Sequence, residues 1–216
     1  RVPGAELVPT SESIWQKLRG GQVFGPLLGE AVEVADKARA FHWPLRFPDV
    51  LASGGFDVVI GNPPWERIKL QEEEFFACRE PDIALAPTAD ARRKMIARLR
   101  EAASGTRERR LFEEFEQSKR TAEASSIFAR ESGRFPLTGR GDINTYALFA
   151  EHACMLSHPM GRSGVIVPSG LVTDSSTSKF FGELVNTRRL VSALGFDNQK
   201  RLFPAVHPDT PFTLLT

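Results

Sequence analysis

A chain of 216 residues with 41% hydrophobic and 25% charged side chains has apolar material for one α/β domain, with or without an appendage, and is not disordered throughout. No apolar run approaches the ~20 residues that span a bilayer, so no membrane association is expected, and residues 1–10 lack the apolar stretch of a signal peptide. A formal net charge of +1 neither demands nor excludes nucleic acid, and two isolated cysteines, Cys78 and Cys154, read as plain thiols in a reducing cytoplasm.

In chain order, residues 11–18 and 29–40 read as short helices separated by the Gly20-Gly21 breaker. Residues 40–51 are aromatic and punctuated by Pro44 and Pro48, which predicts extended or turned chain. The β-branched run 56–60 follows Gly54-Gly55 and stops at Gly61-Asn62-Pro63-Pro64, the pattern of a buried parallel strand. From Glu66 to about Gly133 the chain is rich in Arg, Lys, Glu, Ala and Leu, with helices predicted over 90–103 and 108–131, broken at Ser104-Gly105. Asp142 is the expected N-cap of a helix through Leu156, with Ile143, Tyr146, Phe149, Ala153 and Leu156 on its apolar face. Strands over 164–168, 190–196 and 211–216 and a helix over 175–188 complete the alternation, which predicts a doubly wound α/β sheet. The division is 1–65, helices and a first core strand; 66–135, a helical insertion; and 136–216, the rest of the core. The chain starts at Arg1 and stops within a strand, as a piece of a longer protein would.

In an open α/β sheet, ligands bind beyond the carboxyl ends of the strands, where Asn62-Pro63-Pro64-Trp65 sits. A bare Asn-Pro-Pro is a common turn; preceded by an apolar strand and followed by Trp, it is more specific. The motif suits a planar amine, a poor nucleophile because its lone pair is delocalised into the ring. The Asn62 side-chain carbonyl and the Pro63 backbone carbonyl can accept its two N–H groups and favour a pyramidal nitrogen. Tandem prolines hold those carbonyls in place, and Trp65 offers a flat face for stacking, worth ~1–3 kcal/mol per base.

The string from Gly55 to Trp65 resembles motif IV of the class I methyltransferases that act on exocyclic or amide nitrogen. Phe41-His42-Trp43-Pro44-Leu45-Arg46-Phe47-Pro48 and the stretch from Gly141 to Phe149 are similar to those of large DNA adenine methylases of type IIG restriction–modification and phage-defence systems. The resemblance runs from about Phe41 to the end and is least specific in the insertion. It implies a partial doubly wound, Rossmann-like class I methyltransferase sheet with an inserted helical hairpin. It also implies methyl transfer from S-adenosyl-L-methionine to adenine N6, with double-stranded DNA as partner, its adenine flipped out of the stack, and room for other restriction or defence-system subunits. Within it, Asn62, Pro63, Pro64 and Trp65 are the catalytic candidates. Phe203, in Leu202-Phe203-Pro204, corresponds to the aromatic of motif VIII that stacks on the extruded base, with core packing as its alternative. Asp142 and Asn144 lie where motif V lines the cofactor pocket, with helix capping as theirs.

The glycine-rich cofactor loop of this family has no match before Asn62, so the resemblance leads to the expectation of a fragment whose cofactor half lies upstream, or downstream in a permuted arrangement. RNA or a protein glutamine amide is the alternative substrate, and a nucleic-acid-binding module without activity the alternative role. Gly139-Arg140-Gly141-Asp142 reads as a turn and cap. The four histidines show no metal-ligand spacing. The arginines of 92–110 alternate with carboxylates, which favours a salt-bridged surface over a phosphate track.

Overall fold

The computed structural model describes Glu12, Trp15, Gln16 and residues 19–22, 25–37, 39–204 and 206–216; the helix expected over 11–18 lies largely outside these. The chain divides into two compact units, 1–52 and 53–216.

The first unit carries α1 (Gly25–Lys37), α2 (Trp43–Arg46) and α3 (Pro48–Ala52). The stretch expected to be extended or turned over 40–51 forms two short helices of one turn each. Pro44 occupies the first turn of α2 and Pro48 opens α3, positions where the missing proline N–H is not needed. Trp43 stacks on Phe47 at 5.7 Å and meets Phe41 edge-on at 5.0 Å.

The second unit is built on a four-stranded mixed sheet in the order β1-β2-β4-β3, formed by β1 (Phe56–Gly61), β2 (Ser157–Pro168), β3 (Ala193–Phe196) and β4 (Phe212–Leu215). β1 and β2 are parallel, whereas β4 runs antiparallel to both β2 and β3. Between β1 and β2 lie α4 (Glu72–Ala77), α5 (Pro81–Ala84), α6 (Ala89–Glu101), α7 (Arg107–Glu131) and α8 (Thr145–Leu156); α9 (Gly170–Thr173) and α10 (Ser178–Asn186) follow β2. Gly55 enters β1 at φ +120°, where a Cβ would stand 2.5 Å from the Leu156 carbonyl, so only glycine lets the strand start against the α8–β2 junction.

One face of the sheet holds the core. Val59, Val165, Val167 and Leu215 pack against Tyr146, Ala147, Ala150 and Ala153 of α8 and against Leu171, Phe180 and Leu184 of α9 and α10. Phe149, expected on the apolar face of α8, is half exposed, and the alanines take that role. The ladder register sets Val58, Ile60, Ile166, Leu214, Leu194 and Phe196 on the opposite face, where Val58, Ile60, Leu194 and Phe196 are 59%, 82%, 54% and 44% exposed. β1 is therefore an edge strand with one open face, not the buried strand its composition predicts. The doubly wound expectation is met in part: the fold is α/β, but within 53–216 the described helices that build the sheet's core, α8 to α10, lie on one face and the sheet is mixed.

α4 to α7 build a second core from Phe75, Phe76, Ile83, Ile96, Leu99, Leu111 and Phe115. Thr88 and Thr106 cap α6 and α7, each hydroxyl accepting a hydrogen bond from the N–H three residues on. Arg92, Arg93, Arg107 and Arg109 pair with Glu73, Asp90, Glu80 and Glu113, the salt-bridged surface expected from the alternating charges.

Candidate functional site

The turn 62–66 leaves the carboxyl end of β1 and is locked from a distance by Thr145, the first residue of α8. The Thr145 hydroxyl donates to the Pro64 carbonyl at 2.6 Å and accepts from the Glu66 N–H at 3.0 Å. Its own N–H donates to the Glu66 carbonyl at 2.8 Å. One step further on, Arg67 bridges to Asn144, and the Ile68 N–H donates to the Ile143 carbonyl. This pairing holds 143–144 against 67–68, so α8 starts at Thr145 rather than after Asp142.

Within the locked turn Pro63 is buried, while Asn62 and Pro64 are exposed. The Pro64 carbonyl is engaged by Thr145. Among the described residues the Asn62 side chain and the Pro63 carbonyl have no hydrogen-bond partner. The two acceptors identified from the sequence are thus both unbonded among the described residues, as are the Trp65 backbone N–H and carbonyl and the exposed Glu66 carboxylate. Trp65 is half-buried and donates its indole N–H to the Ile166 carbonyl at 3.3 Å, which fixes the ring against β2.

Phe203 is brought to Trp65 across the sheet end. Their centroids are 5.7 Å apart at 62°, and Phe203 also meets Phe212 edge-on at 5.0 Å. Phe212 stacks in turn on Phe196 at 5.4 Å. Rings at 62° in edge contact do not leave a parallel-walled slot, so a flat ligand stacks on one of them with the other at its edge.

Two positioning residues escape a reading of the sequence. Asn198, 1% exposed, donates its amide to the Phe203 and Val206 carbonyls, both at 3.1 Å, and accepts from the Phe203 N–H at 3.0 Å, fixing the turn that carries Phe203. Glu151, also buried, accepts from the Leu137 N–H at 3.1 Å and from the N–H and hydroxyl of Thr138, holding the loop that leads to Asp142. In that loop a Cβ on Gly139 would overlap the Ala129 carbonyl at 2.2 Å, and Arg130 donates to the Gly141 carbonyl at 2.7 Å. Neither an isolated Asn in a polar loop nor a Glu within a helix carries a pattern that marks it. Burial, then the nearby Asp174 and Asp142 carboxylates, push the phenol of Tyr146 above its ordinary range, so it remains protonated at neutral pH.

Asp142 and Asn144, the candidates for the cofactor pocket, lie on either side of Ile143 at the start of the chain that leads into α8. The Asp142 carboxylate stands 3.6 Å from the Arg67 guanidinium, the Asn144 amide donates to the Asp142 carbonyl at 3.3 Å, and the two residues line different cavities. Asn144 precedes α8 without capping it through its side chain. No group of three or more metal-ligating side chains occurs among the described residues, and no described helix is long and apolar enough to cross a membrane.

The family model described as Eco57I restriction-modification methylase matches residues 9–89, the stretch that contains β1 and the Asn62–Trp65 turn. Over that stretch, less than half of the chain, the sequence is similar to a restriction–modification methylase family. Neither the curated proteins nor the solved structures contain a match to the chain.

Proposed function

We propose that this chain provides the acceptor side of methyl transfer to adenine N6 in DNA, within a restriction–modification or defence system. The observation that carries the reading is the turn after β1: Thr145 holds its Pro64 carbonyl and both backbone groups of Glu66, while the Asn62 side chain and the Pro63 carbonyl are left to a ligand. An adenine amino group held there directs one N–H at the Asn62 Oδ1 and the other at the Pro63 carbonyl, and its nitrogen becomes pyramidal with a freer lone pair. These acceptors gain strength as the nitrogen develops positive charge, so their effect falls on the transition state rather than on binding. No strong base is needed, because the methylated amine is acidic enough to lose its proton to water.

Trp65, anchored by its indole N–H, is the wall on which the extruded base stacks, and Phe203 closes the edge of that wall. The family similarity over residues 9–89 supports DNA as the substrate. The methyl donor in this reading is S-adenosylmethionine, whose binding residues are not identified in this chain.

The test is transfer of a labelled methyl group from S-adenosylmethionine to mixed-sequence DNA by the natural polypeptide, followed by digestion to nucleosides. The label is expected in N6-methyladenine. Asn62→Ala should lower the rate about 10²–10³-fold, as loss of a preorganised transition-state contact does, and leave DNA affinity nearly unchanged. Full turnover by Asn62→Ala, or label in RNA or protein in place of DNA, would overturn the proposal.

A further inference from the structure

Away from the turn, where α8 and α10 end and β2 begins, a cavity of about 170 Å³ is lined by Cys154, Ser157, Arg162, Ser163, Arg188 and Arg189, over an apolar floor. Arg162 lies opposite Val58 in the ladder, four residues or roughly 13 Å of strand before Asn62, so this is a different place from the base site. No aspartate or glutamate is among the lining residues.

The charge there does not cancel. The last turns of α8 and α10 each bring about −0.5 of a charge, and the buried Glu151 carboxylate acts on Cys154, against three guanidinium groups, which leaves roughly one positive charge unbalanced. Arg189 donates once, to the Cys154 carbonyl at 3.0 Å, and Arg162 once, to the Gly161 carbonyl at 2.9 Å. Arg188 makes no hydrogen bond through its side chain. Each guanidinium has five N–H donors, so most point to no protein acceptor.

A second feature concerns the backbone of Arg188, which shares a positive φ with Arg39 and Arg201 but, unlike them, lines this cavity. Arg188 terminates α10 in the left-handed region, φ +57°, with the N–H groups of Arg189 and Leu190 both donating to the Leu184 carbonyl. Glycine is the favoured residue at such a helix end, and an arginine bears steric strain there. The position keeps a charge over the cavity at the expense of backbone comfort.

We propose that this cavity binds a phosphate group. Planar guanidinium forks match phosphate oxygens in pairs, and the hydroxyls of Ser157 and Ser163 add neutral donors. The volume is below the ~300–1,000 Å³ of sites that hold drug-sized ligands, so the occupant is inorganic phosphate or one phosphate of a larger ligand, a free nucleotide or the DNA backbone.

The chain contains its own reporter. Cys154 lines the cavity, whereas Cys78 is exposed and lies outside its lining. Alkylation of both thiols is followed by mass spectrometry at mildly alkaline pH, because burial pushes the Cys154 thiol up, with ionic strength balanced by chloride. At ten times its dissociation constant, inorganic phosphate should slow Cys154 labelling about tenfold and leave Cys78 unchanged. Arg188→Gly removes the charge while relaxing the backbone, so the variant should fold at least as stably as the parent and bind phosphate about tenfold or more weakly. Protection by a short DNA duplex but not by inorganic phosphate would assign the phosphate to the nucleic-acid backbone. No protection by either, or equal protection in Arg188→Gly, would overturn the proposal.

Discussion

Asn198 holds the Phe203 turn through both ends of one amide, giving hydrogen bonds to the Phe203 and Val206 carbonyls and receiving one from the Phe203 N–H. No other side chain of this size offers two donors and an acceptor in that arrangement. Asn198→Ala leaves those buried groups without partners and should lower unfolding free energy by ~1–3 kcal/mol. Asn198→Asp keeps the acceptor but turns a second oxygen on the two carbonyls, so at pH 7 it should cost more than alanine. A protonated carboxyl can donate again, so the folded-state pKa of the introduced group is raised and part of the lost stability returns as pH falls toward about 4. Urea unfolding at both pH values measures this, and an Asn198→Asp variant no weaker than Asn198→Ala at pH 7 would show that the amide donor is not what holds the turn. Thr145 does the same kind of work for the turn at Asn62, across 81 residues of sequence.

At the scale of elements, the two long helices of the insertion owe their start points to threonine caps. Thr106→Ala removes the acceptor of the Arg109 N–H and should destabilise by ~1 kcal/mol, while Thr106→Asp, which keeps an acceptor and adds a favourable charge at the helix start, should restore it. Equal midpoints for Ala and Asp in urea would mean that the cap is solvated and idle. These helices were legible because Ser104-Gly105 interrupts a long stretch of strong helix formers. β1 was legible as a strand from its β-branched run, but its exposure was not, because composition does not report what covers each face. Pro44 and Pro48 read as breakers and act as helix starters, a difference of one position relative to the first turn. Asp142 fails as a cap because pairing of 143–144 with 67–68 is tertiary and overrides a local preference. The Asn62–Trp65 turn could be read from the sequence since its chemistry is contiguous. Asn198 and Glu151 meet their partners only through the fold, as Arg162 meets the adjacent pair Arg188-Arg189 at the proposed phosphate cavity.

For the molecule as a whole, the sheet of residues 53–216 is asymmetric. Its inner face holds the core, and its outer face presents Val58 and Ile60 on β1 and Leu194 and Phe196 on β3, the two edge strands of the sheet among the described residues. Exposed apolar side chains on an unpaired edge strand drive association. The chain should therefore sediment as a concentration-dependent mixture, and Ile60→Lys with Leu194→Lys should shift it toward monomer at the same concentration. Because both side chains are more than half exposed, the pair of substitutions should alter unfolding free energy by no more than about 1 kcal/mol, the range of two surface changes. A loss of ~2–5 kcal/mol for either one, the cost of disturbing a packed core, would mean that this face is covered in solution and that Ile60 belongs to an interior. The two measurements separate the cases: association relieved without loss of stability identifies an open face, and stability lost with association unchanged identifies a closed one.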